Sequence, residues 1–384
     1  MPGHKFIHRL LHSGRLGWGL LLFLVCACDT GKPKIIIGES KGLPSELLLV
    51  VDKPVWESDL QDTIKTIVEA QVPGLAQSEQ MFRVTRIFSQ HYDRMFGTMH
   101  SQLFVTVDPK LRKPMTGVSR NVTAKPQIEV TVSAPTQDAL RAYLSANRQR
   151  IQDLLCDGQI EMRTANLQRK YCKRVSDQLK QVLGMDIRVP EDLKATKKGR
   201  DFLWCGTNRN QKDQNVVVYA LPWDGNTGFD LWRAMERRDS VMKENIPGDR
   251  PDQWMQTARE EGEPLVSGRV RNIQGRDVLE VRGLWEMRNG ALGGPFVCVV
   301  QVDTTRRKVI VAEGFVYSPS TEKRDLMREL EASLRTLKQL PQGTKNSCSL
   351  CKYGFFLYLC DKSSEVTRSR HKKVKNFCSA LDFS

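Results

Sequence analysis

The chain has 384 residues, of which 40% are hydrophobic and 27% charged, ordinary globular values that leave room for a real core and for two domains. Its formal charge of +15 overstates the body: +3 sits in residues 1–27 and +5 in residues 341–384, leaving +7 of mixed sign over residues 28–340. No basic stripe interleaved with aromatics occurs, so nucleic acid is not an expected partner. Only four of the ten cysteines (Cys156, Cys172, Cys205 and Cys298) lie in the body, which excludes a disulfide scaffold.

The chain opens with Lys5, Arg9 and Arg15 and no acid, then the apolar run Leu16–Val25. Ten residues suit the core of an export signal and fall short of the ~20 that a membrane-crossing helix needs. Val25-Cys-Ala-Cys28 reads as a lipobox, because cleavage before Cys28 leaves small Ala27 at the cut and cleavage before Cys26 would leave bulky Val25. Cys28 is therefore the expected lipidation site. Residues 28–44, with Gly, Pro and Lys around Ile35–Ile37, read as a tether.

Leu47–Val51 predicts a buried strand. Ser58 and Gln61 form a capping-box pattern ahead of Leu60, Ile64, Ile67 and Val68 at helical spacing, so 58–70 is an expected amphipathic helix. Strands follow at Phe82–Ile87, Leu103–Val107 and Gln127–Ser133, the last alternating cleanly, with 108–126 read as a basic loop. Pro135 opens a long helix carrying Leu140, Tyr143, Leu144, Ile151, Leu154 and Leu155, interrupted near Asp157-Gly158 and resuming to about Leu183. The second half predicts strands near 201–206 and 215–221 and a helix from Phe229 to Lys243 with Trp232 and Met235. A long loop over 246–264 then precedes four strands at 265–273, 277–288, 295–303 and 308–317. The closing helix, Thr321–Gln339, carries the stripe Leu326, Leu330, Leu334 and Leu337. Each half thus reads strand, helix, antiparallel strands, helix, and each last helix is entered through a Pro. An internal duplication and shared strand-end chemistry both produce that pattern.

The most distinctive short run is Arg282-Gly-Leu-Trp-Glu286. On a strand it puts Leu279, Val281, Trp285 and Met287 on one face around a gap at Gly283, with Glu280, Arg282 and Glu286 on the other. Arg282, Trp285 and Glu286 make a candidate binding platform; the bland alternative is a core Trp beside a solvated charge row. Trp223 and Trp254, in loop-like contexts, could stack on sugar rings. Asn289–Pro295 is a glycine-rich hairpin connection and not a phosphate cradle, since no helix follows it. Asp224–Gly228 reads as a turn, lacking the alternating oxygens and closing Glu of a calcium loop. His91 and His100 have no metal spacing, and no nucleophile elbow or zincin motif occurs, so no catalytic residue, metal or cofactor is expected. Glu57, Asp59, Asp62, Glu280 and Glu286 leave a paired-carboxylate hydrolase open, because such pairing is made in space. The tail carries Cys348, Cys351, Cys360, His371 and Cys378, a weak zinc pattern beside the reading of a disordered or atypical extension.

The lipobox, the passage Asp52-Lys-Pro-Val-Trp56 and the Arg-Gly-Leu-Trp run at 282–285 resemble an uncharacterised lipoprotein family of the Bacteroides group, known only as a domain of unknown function. The resemblance covers about Cys28 to Leu340. It implies an envelope location and no activity.

The expected fold is α+β, with mixed or antiparallel sheets packed by amphipathic helices. The expected organisation is a signal peptide (1–27), a tether (28–44), a first lobe (45–189), a second lobe (190–340) and a tail (341–384). The expected function is a non-catalytic envelope lipoprotein, anchored on the periplasmic face of the outer membrane, that binds an envelope protein or glycan. An envelope glycan hydrolase is the alternative.

Overall fold

The computed structural model describes residues 37–225 and 229–340. The expected signal peptide, Cys28, the tail and Asn226–Gly228 of the expected turn lie outside the described residues. From Gly38 onward the stretch read as tether already pairs with the body, Gly38–Glu39 running parallel to Ala124–Lys125.

The first half builds a five-stranded mixed sheet from β1 (Glu46–Val51), β2 (Arg83–Phe88), β3 (Ser101–Val107), β4 (Met115–Arg120) and β5 (Ile128–Ala134), in the order β2-β1-β3-β5-β4. Only β4 and β5 run antiparallel. Central β1, a run of Leu and Val, is buried on both faces, as its unbroken apolar sequence requires. Helices α1 (Leu60–Val68), α2 (Gln137–Ala146) and α3 (Arg148–Arg169) bury Leu60, Ile64, Leu140, Leu144, Ile151 and Leu155 against Leu47, Leu49, Leu103 and Val130.

Four local expectations for this half are corrected. No capping box forms: the Ser58 hydroxyl accepts from Leu60 N at 3.3 Å, and Asp59 stands at the helix cap. The 108–126 loop contains β4, an exposed edge strand whose Met-Thr-Gly-Val-Ser-Arg has no apolar alternation to betray it. The long helix breaks at Asn147, and α3 runs straight through Asp157-Gly158. Gly158 is a packing glycine, since a Cβ there would lie 2.5 Å from Cδ1 of buried Ile128. Three of the four strand pairings are parallel, with α1 as a crossover between β1 and β2.

The second half starts with α4 (Lys173–Leu183), expected with the first lobe but buried through Val175 and Leu179 in the second core. Its sheet comprises β6 (Ala195–Gly199), β7 (Phe202–Gly206), β8 (Asp213–Pro222), β9 (Met255–Thr257), β10 (Val266–Ile273), β11 (Arg276–Met287), β12 (Gly293–Asp303) and β13 (Lys308–Tyr317). The order is β11-β12-β13-β8-β7-β6, with β9 and β10 sharing the outer edge of β11 and every pairing antiparallel. The 246–264 segment therefore holds β9 and a small hairpin, Arg259–Glu260 with Glu263–Pro264. One sheet face packs on α4 and α6 (Arg324–Arg335), and the other on α5 (Leu231–Asn245). The two halves differ both in element order, the second opening on α4 and three strands before α5, and in strand pairing.

The fold is α+β. Cys205 and Cys298 are small buried hydrophobes whose thiols burial pushes up, and all four body cysteines are free. Among the described residues no helix is long and apolar enough to cross a membrane.

Candidate functional site

Strand β11 divides its side chains as its alternation requires. Trp285 goes to the core face, 4% exposed, donating its indole N–H to the Val316 carbonyl at 3.2 Å and stacking edge-on against Phe315. The gap at Gly283 is filled as expected by neighbouring backbone and rings: a Cβ there would lie 2.5 Å from the Leu265 carbonyl oxygen and 3.1 Å from Phe296.

The charged side of β11 is not the solvated row that the bland reading expected. Glu280 is 4% exposed and Arg282 half-buried, because α6 and α3 close over them. Arg282 donates to Glu331 at 2.6 Å and to Glu280 at 3.3 Å. Arg271 bridges Glu280 at 3.2 Å and Asp157 at 2.7 Å, while Arg269 holds Asp153 through two bonds of 2.8 and 3.0 Å. Burial works to raise the Glu280 carboxyl, but Arg282, Arg271, Arg269 and Arg335 together hold it at about 2.

These groups wall a cleft of about 230 Å³ between the two halves of the body. Helix α3 supplies Asp153, Cys156 and Ile160; β10 and β11 supply Arg269, Arg271, Glu280 and Arg282; α6 supplies Arg324, Arg328 and Glu331; Val72, Pro73 and Met81 complete an apolar side. Five arginines thus face three carboxylates among the lining residues. The loop ahead of β2 reaches the cleft through Gly74, whose φ of +76° and close approach to Arg282 and Gly283 leave no room for a side chain.

A second concavity, a groove of about 700 Å³, lies on the opposite face of the second sheet, where α5 ends at Asn245. Half-buried Trp204 and Tyr317 face the groove over buried Trp285 and Phe315, and Asn208, Arg209, Asn210, Asp213 and Asn245 rim it. Among the described residues that line the groove Asp213 is the one carboxylate; it accepts from Thr207, the Arg209 N–H and Asn215.

The five residues singled out from sequence do not converge. Arg282 lines the cleft and Trp285 the floor of the groove. Glu286 is half-buried and accepts from Gln256 at 2.8 Å. Trp223 is half-buried against the core beneath α5. Trp254 is half-buried with Lys243 at 4.4 Å and Arg288 at 4.8 Å from its ring. His91 is exposed, and His100 is buried with Nε2 on the Leu43 carbonyl at 2.8 Å; burial lowers its pKa. Glu57 and Asp59 pair with Lys53 and Arg141 at the surface. Asp224 pairs with Arg233 and Arg237. Among the described residues no group of three or more His, Cys, Asp or Glu side chains could hold a metal ion.

Sequence reading missed Arg269, Arg271, Arg324, Arg328 and Glu331 in the cleft, and Trp204, Tyr317 and the asparagines of the groove. One signal was present: Arg324, Arg328 and Glu331 repeat at i, i+4 and i+7, a helical face beside the leucine stripe.

The geometry defines an α+β body whose described residues line several concavities, the cleft and the groove among them. Residues 40–168 match the model of a domain of unknown function, DUF8532, and residues 173–336 match another, DUF4837. The two ranges meet at the turn between α3 and α4. No curated protein is significantly similar to the chain. Similar solved structures include the Ran-binding protein Mog1p of Saccharomyces cerevisiae, at 11% identity and TM-score 0.27 over 41% of this chain and 90% of that one. They also include a protein from Bacteroides thetaiotaomicron, at 12% identity and TM-score 0.24 over 52% of this chain and 68% of that one. Scores this low bring neither structure to bear on this chain.

Proposed function

We propose that the protein is a non-catalytic, glycan-binding lipoprotein of the cell envelope of Bacteroides-group bacteria, anchored through Cys28 with its body on the periplasmic face of the outer membrane. The observation that carries the binding reading is the groove beyond α5. It joins aromatic faces, which stack on the C–H faces of sugar rings, to asparagine amides, which can donate to and accept from hydroxyls. Of the two partners that the sequence allows, an envelope protein or a glycan, this chemistry favours the glycan. The rival hydrolase needs a protonated acid beside an ionised carboxylate. Among the described residues of the groove Asp213 stands without a second carboxylate, and in the cleft Glu280 is held ionised among arginines. The anchor rests on the lipobox and the run before it.

Two measurements test the reading. The full chain should bind solubilised envelope polysaccharide, Trp204→Ala should weaken binding at least tenfold, and neither protein should release new reducing ends from the polysaccharide. Release of reducing ends by the wild type would favour the hydrolase instead. Cys28→Ser should abolish incorporation of a labelled fatty acid and move the protein from the membrane to the soluble fraction; retained label would reject the anchor.

A further inference from the structure

A guanidinium removed from water needs a counter-charge or a full set of acceptors. Arg328, 5% exposed on α6, has only neutral partners: Ser45 Oγ at 3.0 Å, Gln159 Oε1, the Met81 carbonyl at 2.7 Å, and Cys156 Sγ at 3.6 Å, with its Cζ 5.2 Å from the Phe82 ring centroid. Among the described residues no carboxylate lies within 4.0 Å of it. Burial pushes the Cys156 thiol up, so no thiolate supplies the missing charge. One turn earlier Arg324, 3% exposed, also lines the cleft, and its buried Nε–H has no partner. The cleft carboxylates cannot serve, because Glu331 and Glu280 are taken by Arg282 and Arg271.

We propose that the cleft is an oxyanion site that takes a small phosphomonoester. Its phosphate supplies the counter-charge to Arg328 and accepts the Arg324 Nε–H, and its short organic body lies against Met81 and Ile160. A buried guanidinium charge without a carboxylate favours an oxyanion, and a cleft of about 230 Å³ limits the occupant to a small molecule. Glu280 on β11 repels the anion and so directs it toward Arg324 and Arg328 of α6. This inference is independent of the glycan reading, which concerns the opposite face of the sheet.

The probe is inorganic phosphate, titrated against the full chain by calorimetry and thermal unfolding, with chloride at matched ionic strength as control. The expected result is saturable phosphate binding and a rise in melting temperature that chloride does not reproduce. Arg328→Met should remove both while leaving the phosphate-free protein as stable as wild type or more so, and Arg324→Gln should weaken binding severalfold. If Arg328→Met does not fold, Arg328→Gln, which removes the charge and keeps an amide donor, should weaken phosphate at least tenfold. Absence of phosphate-specific stabilisation in the wild type, or unchanged affinity in the folded Arg328 variant, overturns the proposal.

Discussion

The second sheet buries arginine on both faces, in two different ways. Beneath α5, Arg238 is fully enclosed and holds both oxygens of equally enclosed Glu313, at 2.6 and 2.7 Å, with further bonds to Thr257 and Asp239 and its guanidinium 4.1 Å from the centre of Phe296. Burial opposes that charge, and Glu313 more than restores it. Across the sheet, the cleft arginines Arg269, Arg271, Arg282 and Arg324 each reach a carboxylate, and among the described residues Arg328 has none. A closed, matched pair orients α5 on its sheet and leaves nothing for a ligand to complete. An open cluster that holds a guanidinium without a carboxylate has a charge to offer. The contrast separates a structural ion pair from a candidate site more sharply than exposure does, since both are buried.

The comparison can be broken most forcefully at its closed end. Glu313→Ala strands Arg238 without its bidentate partner and should cost about 3–5 kcal/mol in urea unfolding, while the double variant with Arg238→Met should recover most of that loss. Failure of the double variant to recover would mean that the pair is more than a self-contained lock. Next, Gly283→Ala pushes a methyl against the Leu265 carbonyl and should cost about 1–3 kcal/mol by overpacking, with β10 losing amide-exchange protection before β12 does.

A third test separates the faces by pH. Glu280 and Asp325 are both held at about 2, against burial, by arginines and, for Asp325, by the Ser45 hydroxyl as well. Their folded pKa values lie below the unfolded ones, so their contribution is complete above about pH 4.5 and is lost as pH falls toward 2. Unfolding free energy measured from pH 6 to pH 2 should fall through that window, and Glu280→Gln should flatten the slope; an unchanged slope would show that Glu280 is not held by its arginines. Smallest of all, Arg288→Ala uncovers one face of Trp254 and should cost less than about 1 kcal/mol while changing the indole fluorescence. A larger loss would make that surface stack structural.

The strands of the second half were legible because long runs of Val, Ile and Phe alternate or stay apolar between turns. The edge strands β4 and β6 were not, since Met-Thr-Gly-Val-Ser-Arg and Ala-Thr-Lys-Lys-Gly borrow their conformation from a neighbour. Gly158 misled for a related reason: read locally it breaks a helix, and only the approach of Ile128 shows why it sits inside one. The site was half visible. The alternation of β11 put Arg282 and Trp285 on opposite faces from sequence alone, but whether Arg282 met solvent or protein depended on α3 and α6, over a hundred and about forty residues away in the chain.

The sequence by itself determined the α+β class, the core faces of most strands and helices, and the close backbone packing at Gly283, because periodicity and side-chain volume are local properties. Tertiary structure decided which strands run parallel, where α4 packs, and above all which charges are paired. Pairing is a property of distance. Arg328 differs from any surface arginine of the sequence only through the neutral neighbours that folding brings around it.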